Sequence, residues 1–161
     1  MSNRIDLTPD PNLDLVLTRV VDVPPKKVWT AWTDPEHLSH WFVPKPWRIS
    51  HCEIDLRPGG IFRTVMEGPG GEKMDNAGCY LEVVPNERLV WTDALGPGFR
   101  PSAQPFMSGA IILEPHQGGT RYTAIALHRD VEIRKQHEEM GFQEGWGTVL
   151  DQLVEYVNEH L

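Results

Sequence analysis

"WRISHCEIDLRPGGIFRTVM", residues 47–66, is where the hydropathy period of this chain changes. Before it, apolar residues recur at helical spacing. From Trp47 they alternate, which is the pattern of half-buried strands. "RPGG" at 57–60 is turn chemistry, so the stretch reads as a hairpin. Downstream, "DNAGCYLEVV" (75–84), "RLVWTD" (88–93), "FMSGAIILE" (106–114) and "TRYTAIALH" (120–128) continue the pattern. Six strands joined by "RPGG", "EGPGGE", "VPNE", a proline-rich stretch and "HQGG" predict an antiparallel meander. One connection is long: "ALGPGFRPSAQP" (94–105), with three prolines and Phe99 as its apolar anchor, is expected at a cavity mouth.

Upstream, "LDLVLTRVVDV" (13–23) is rich in β-branched residues and stops at Pro24-Pro25, so it predicts a seventh strand. Val28, Ala31 and Trp32 then fall at i, i+3, i+4 in a short helix. Asp34 before Pro35 and Glu36 is a second helix start: a carboxylate cap, proline in the first turn, then an acid. Leu38, Trp41 and Phe42 repeat the spacing, which makes this a lid helix with Trp41 and Phe42 at its working end. Residues 1–12, with Pro9 and Pro11, read as a flexible arm, and 13–161 as a single domain.

After the strands the period returns to 3.6. A short helix capped by Asp130 is followed by a junction at Gly141. Then comes a long helix in which Trp146, Val149, Leu150, Leu153, Val154, Val157 and Leu161 share one face. The fold class is α+β: a curved seven-stranded antiparallel sheet around a long C-terminal helix, with two short helices after the first strand. Such a sheet leaves a cavity beside the helix.

"PPKKVWTAWTDPEHLSHWF", "DLRPGGIFR", "GCYLEVVPNERLVWT", "GGTRYT" and "GFQEGWGTVLDQL" occur in an order that resembles the START-like (SRPBCC, Bet v 1-like helix-grip) superfamily. The similar branch is the C-terminal domain of the activators of the 90-kDa heat-shock chaperone ATPase. The resemblance covers about residues 14–158. It implies a lidded apolar cavity and no fixed catalytic set. True activators carry a further N-terminal domain, which 161 residues do not accommodate. A co-chaperone role in stress response therefore stands third among the functional expectations, and would need an exposed apolar patch.

Composition narrows the partners. Fifteen basic residues against 23 acidic ones leave a net charge of −8 without any basic run, which disfavours nucleic acid and anionic membranes. "MSNRIDLTPDPNLDL" contains no segment of signal-peptide character. Cys52 and Cys79 lie far apart and form no CxxC pair, so free thiols in a reducing cytoplasm are expected. His37 and His40 lack a third ligand and read as solvated, so no metal is expected, and no cofactor.

The candidate ligand-binding residues are Trp41, Phe42, Trp47, His51, Trp91, Asp93, Phe106, His128 and Trp146. The tryptophans suit an aromatic or aliphatic guest. His51, Asp93 and His128 lie in or at the end of strands, and alternation puts His51 with Trp47 and Ile49, and Asp93 with Leu89 and Trp91. The leading expectation is binding of a small hydrophobic molecule. The alternative is a cyclase, dehydratase or hydrolase using a pocket His51–Asp93 pair. A homodimer is left open.

Overall fold

A computed structural model describes residues 4–161. The first strand, β1 (Asp14–Val21), leads through Pro24 into α1 (Pro25–Thr33) and α2 (Pro35–Leu38). Asp34 caps α2 as its sequence implies, accepting from the Glu36 amide at 2.9 Å. Six strands of the main sheet follow: β2 (Arg48–Ile54), β3 (Ile61–Glu67), β4 (Lys73–Val84), β5 (Arg88–Thr92) and, after a minor hairpin of β6 (Leu95–Gly96) and β7 (Arg100–Pro101), β8 (Ser108–His116) and β9 (Gly119–Leu127). The chain ends in α3 (Val131–Glu139) and α4 (Phe142–His160).

The sheet has seven antiparallel strands in the order β1-β9-β8-β5-β4-β3-β2, the expected helix-grip arrangement. Its concave face and α4 enclose the main core. Leu89, Ile111 and Leu113 from the sheet meet Leu150, Leu153 and Val157 from α4 there, and Val28, Trp32, Leu38 and Trp41 close it from the short helices and the turn after them. The long helix begins at Phe142, and Gly145-Trp146-Gly147 lies in its first two turns. Gly141 has φ 94°, a left-handed conformation that suits glycine and turns the chain between α3 and α4.

A flexible arm is expected over residues 1–12; residues 1–3 lie outside the described residues, and 4–12 lie against the outer face of the sheet. Leu7 is buried there with Val90, Ala110 and Ile125. Glu82 and Arg88 grip the arm's backbone: the Ile5 amide donates to Glu82 Oε2 at 2.7 Å, and Arg88 Nη2 donates to the Ile5 carbonyl at 2.6 Å.

The proline-rich loop departs from its expected position. Its Gly98 amide donates to the Gly59 carbonyl at 2.8 Å, and the Phe99 ring lies over Gly59 while half exposed. These contacts carry the loop toward the β2–β3 turn. No residue of 94–105 lines the cavity, although Asp93 and Phe106, at the loop's base, both do.

Candidate functional site

A cavity of about 630 Å³ lies between the concave sheet face, the turn after α2 and the α3–α4 corner. Seven aromatic residues line it: Trp32, Phe42, Phe62, Trp91, Phe106, Tyr122 and Trp146. Trp32 has ring centroids 5.4 Å from Phe42 and 5.3 Å from Trp91, and Phe62 lies 5.8 Å from each of the same two. Edge-to-face and tilted arrangements of this kind fix each ring against its neighbours and leave flat faces for a guest. Trp91 owes its seat to Gly109 on the paired strand, where a Cβ would run into the indole. Gly145 on α4 also borders the cavity and faces open space, so its missing side chain adds to the cavity's volume.

Met66, Met74, Met107 and Met140 complete the wall. Every methionine among the described residues is thus at this cavity. Met74 and Met140 are 51% and 68% exposed and mark the rim, with Asn76 and Gln136 beside them on the surface. Thioether side chains adapt to irregular shapes, which suits a mouth that admits a guest.

Of the residues picked from sequence, Phe42, Trp91, Asp93, Phe106 and Trp146 line the cavity. Trp41, Trp47 and His51 do not. Trp41 is 1% exposed and fixed in the core, its Nε1 donating to the Ala31 carbonyl at 3.2 Å. Trp47 borders a separate groove of about 400 Å³, with Lys45 and Arg48. His51 is exposed and bonds Glu53 at 3.0 Å. The reason is a β-bulge between Ile49 and His51, which breaks the alternation that would have put both on one face. The expected His51–Asp93 acid–base pair is therefore not assembled.

Asp93 is held rather than poised. Its Oδ1 accepts from the Phe106 and Met107 amides at 2.8 and 3.1 Å, closing the base of the loop. His128 sits behind Phe106 and is not in the lining; it forms a pair that its own strand did not announce. His128 Nδ1 faces the Leu13 carbonyl at 2.8 Å, and its Nε2 faces His137 Nδ1 at 2.8 Å. The carbonyl can only accept, so His128 carries its proton on Nδ1 and accepts from His137 through Nε2. Burial, and the neighbouring His128, push the His137 pKa down to about 4. Phe106, Phe142 and Trp146 surround His137 with rings.

The remaining polar candidates are structural. His37 Nδ1 is 2.7 Å from the Tyr156 hydroxyl and the His40 ring stacks on the same tyrosine, so these histidines clamp α2 and the turn after it to α4 rather than facing water alone. Burial, then Asp34 and Glu53, raise the Cys52 pKa to about 11, which keeps the thiol protonated and unreactive near neutrality. Among the described residues no group of three or more His, Cys, Asp or Glu side chains is arranged to hold a metal. No helix among them is long and apolar enough to cross a membrane.

Residues 22–158 match the model of the family described as Activator of Hsp90 ATPase homolog 1-like protein. The chain belongs to this family. A solved structure from Nitrosomonas europaea is 53% identical, with a TM-score of 0.91, covering 93% of this chain and 97% of that one. Two more distant structures share the fold. One from Rhodobacter sphaeroides has 20% identity, a TM-score of 0.82 and coverage of 95% and 97%. An Activator of Hsp90 ATPase homolog 1-like protein from Aeromonas hydrophila has 19% identity, a TM-score of 0.70 and coverage of 91% and 93%. No curated protein sequence matches the chain.

Proposed function

We propose that this Activator of Hsp90 ATPase homolog 1-like protein binds a small hydrophobic or aromatic molecule in the cavity between its sheet and α4. The observation that carries the reading is the lining itself: seven aromatic rings and four methionines around about 630 Å³. Cavities of that size and character suit small apolar ligands, with a few polar groups to orient them. The acidic surface and lack of a basic run fit a soluble carrier better than a nucleic-acid or membrane binder. We assign it to the cytoplasm, where its two unpaired thiols would stay reduced.

Native mass spectrometry of protein purified from its own host tests the proposal. A retained apolar molecule of fixed mass, displaced by an apolar fluorescent probe, is the expected result. No co-purified molecule together with no saturable probe binding would overturn it.

A further inference from the structure

We propose that the guest carries a neutral carbonyl oxygen on a flat apolar body, and that the Tyr122 hydroxyl receives that oxygen. The inference rests on the ligand-binding reading above and adds the chemistry of the guest's polar end.

Tyr122 lies on β9, is 3% exposed, and lines the cavity. Trp32 Nε1–H donates to its oxygen at 3.2 Å. A phenol has one hydrogen to give and two lone pairs to offer. The indole occupies a lone pair, so the hydrogen needs an acceptor elsewhere. Among the described residues it has none. Buried donors in folded proteins nearly always find a partner, and an orphan at a cavity wall points to a molecule that fills the cavity. Donation from the indole also polarises the O–H and makes it a better donor. Burial keeps the phenol protonated well above its ordinary range, so the donor is present throughout the neutral pH range.

The surroundings narrow the acceptor. Arg19 is the cross-strand partner of Tyr122, yet its guanidinium is already spent on Asp151 Oδ1 at 2.9 Å and the Gly147 carbonyl at 2.6 Å. Its charge is already paired with the Asp151 carboxylate, which weakens its pull on a second one. Asp93 on the lining and the net charge of −8 disfavour an anionic guest further. Thr64, also buried on the lining, has a hydroxyl with no hydrogen bond among the described residues, and provides a second neutral polar contact. Donor hydroxyls among aromatic faces fit a ketone, quinone or ester carbonyl on a ring system.

The matched probes 9-fluorenone and fluorene test this, since they share a flat body and differ in the carbonyl. Tryptophan-fluorescence titration should give the wild-type protein about a tenfold preference for fluorenone. The bound ketone's infrared carbonyl band should shift to lower frequency. Tyr122→Phe should abolish both effects, bringing fluorenone affinity down to that of fluorene. Equal affinities in the wild type, an unshifted carbonyl band, or a preference that survives Tyr122→Phe would each overturn the Tyr122 assignment and leave cavity binding intact. Should Tyr122→Phe not fold, the infrared band of the wild-type complex decides alone. Failure of both probes to bind would overturn this assignment, and together with the absence of any co-purified molecule it would overturn the ligand-binding reading as well.

Discussion

His137 Nδ1 lies 2.8 Å from Nε2 of His128, and the pair is anchored to the Leu13 carbonyl, so α3 is tied through two imidazoles to the start of the sheet. Protonating His137 would place a charge among Phe106, Phe142 and Trp146.

Stability should therefore fall with pH over a defined window. The folded-state pKa of about 4 lies below the ordinary 6.5, so the unfolded chain takes up the proton first as pH falls. The contribution is complete above pH 6.5 and is lost as pH drops toward 4. The loss should not exceed ~3 kcal/mol. Urea midpoints measured across this window should slope for the wild type, and His137→Phe should flatten that slope.

Adjacent residues of the lid should behave oppositely. Trp41 is core, so Trp41→Ala should cost ~3–5 kcal/mol. Phe42 lines the cavity, so Phe42→Ala should cost less than that ~3–5 kcal/mol and weaken apolar-probe binding several-fold. Urea midpoints and probe titration on the two variants check this; equal stability losses would contradict it.

Trp146→Ala gives a comparable separation on α4. Trp146 stands 4.6 Å from Phe142 and borders the cavity, so the deletion should enlarge the cavity and change probe affinity. Its stability cost should stay below the ~3–5 kcal/mol of a fully buried aromatic. Full destabilisation with unaltered probe binding would make it plain core.

Peroxide should act first at the rim. Met74 and Met140, the more exposed thioethers, should become sulfoxides before Met66 and Met107, as peptide mapping would detect. The polar sulfoxides should lower apolar-probe affinity, and Met74→Leu with Met140→Leu should protect it.

Cutting the grip on the arm should expose the outer face. Glu82→Ala leaves Arg88 nearly buried without its carboxylate and should cost ~3 kcal/mol. Protease should then cleave near residues 4–12 at a rate well above that of the wild type.

The sheet was legible because period two and turn residues agree over residues 47–127, and the long helix because its apolar stripe keeps 3.6 spacing. The cavity was only partly so. Trp91, Asp93 and Trp146 followed from alternation or helical phase, but His51 did not, because a bulge leaves no mark in the hydropathy pattern. Trp41 and Phe42 are neighbours in sequence, and only the way the turn after α2 packs against the sheet and α4 decides which one enters the core. Tyr122 and His137 depend on partners 90 and 9 residues away, contacts that no local pattern encodes.

Among the described residues β2 is an end strand of the sheet, and an end strand is where another chain could pair. The bulge that turned His51 outward lies in this strand, and around it stand Arg48 with Glu67, His51 with Glu53, and Arg63 bridging Glu53 and Asp75. A kinked, charge-studded rim is a poor template for another strand, because docking would strip water from several ion pairs at once. The ion pair of His51 with Glu53 is part of what makes this edge a costly one to cover.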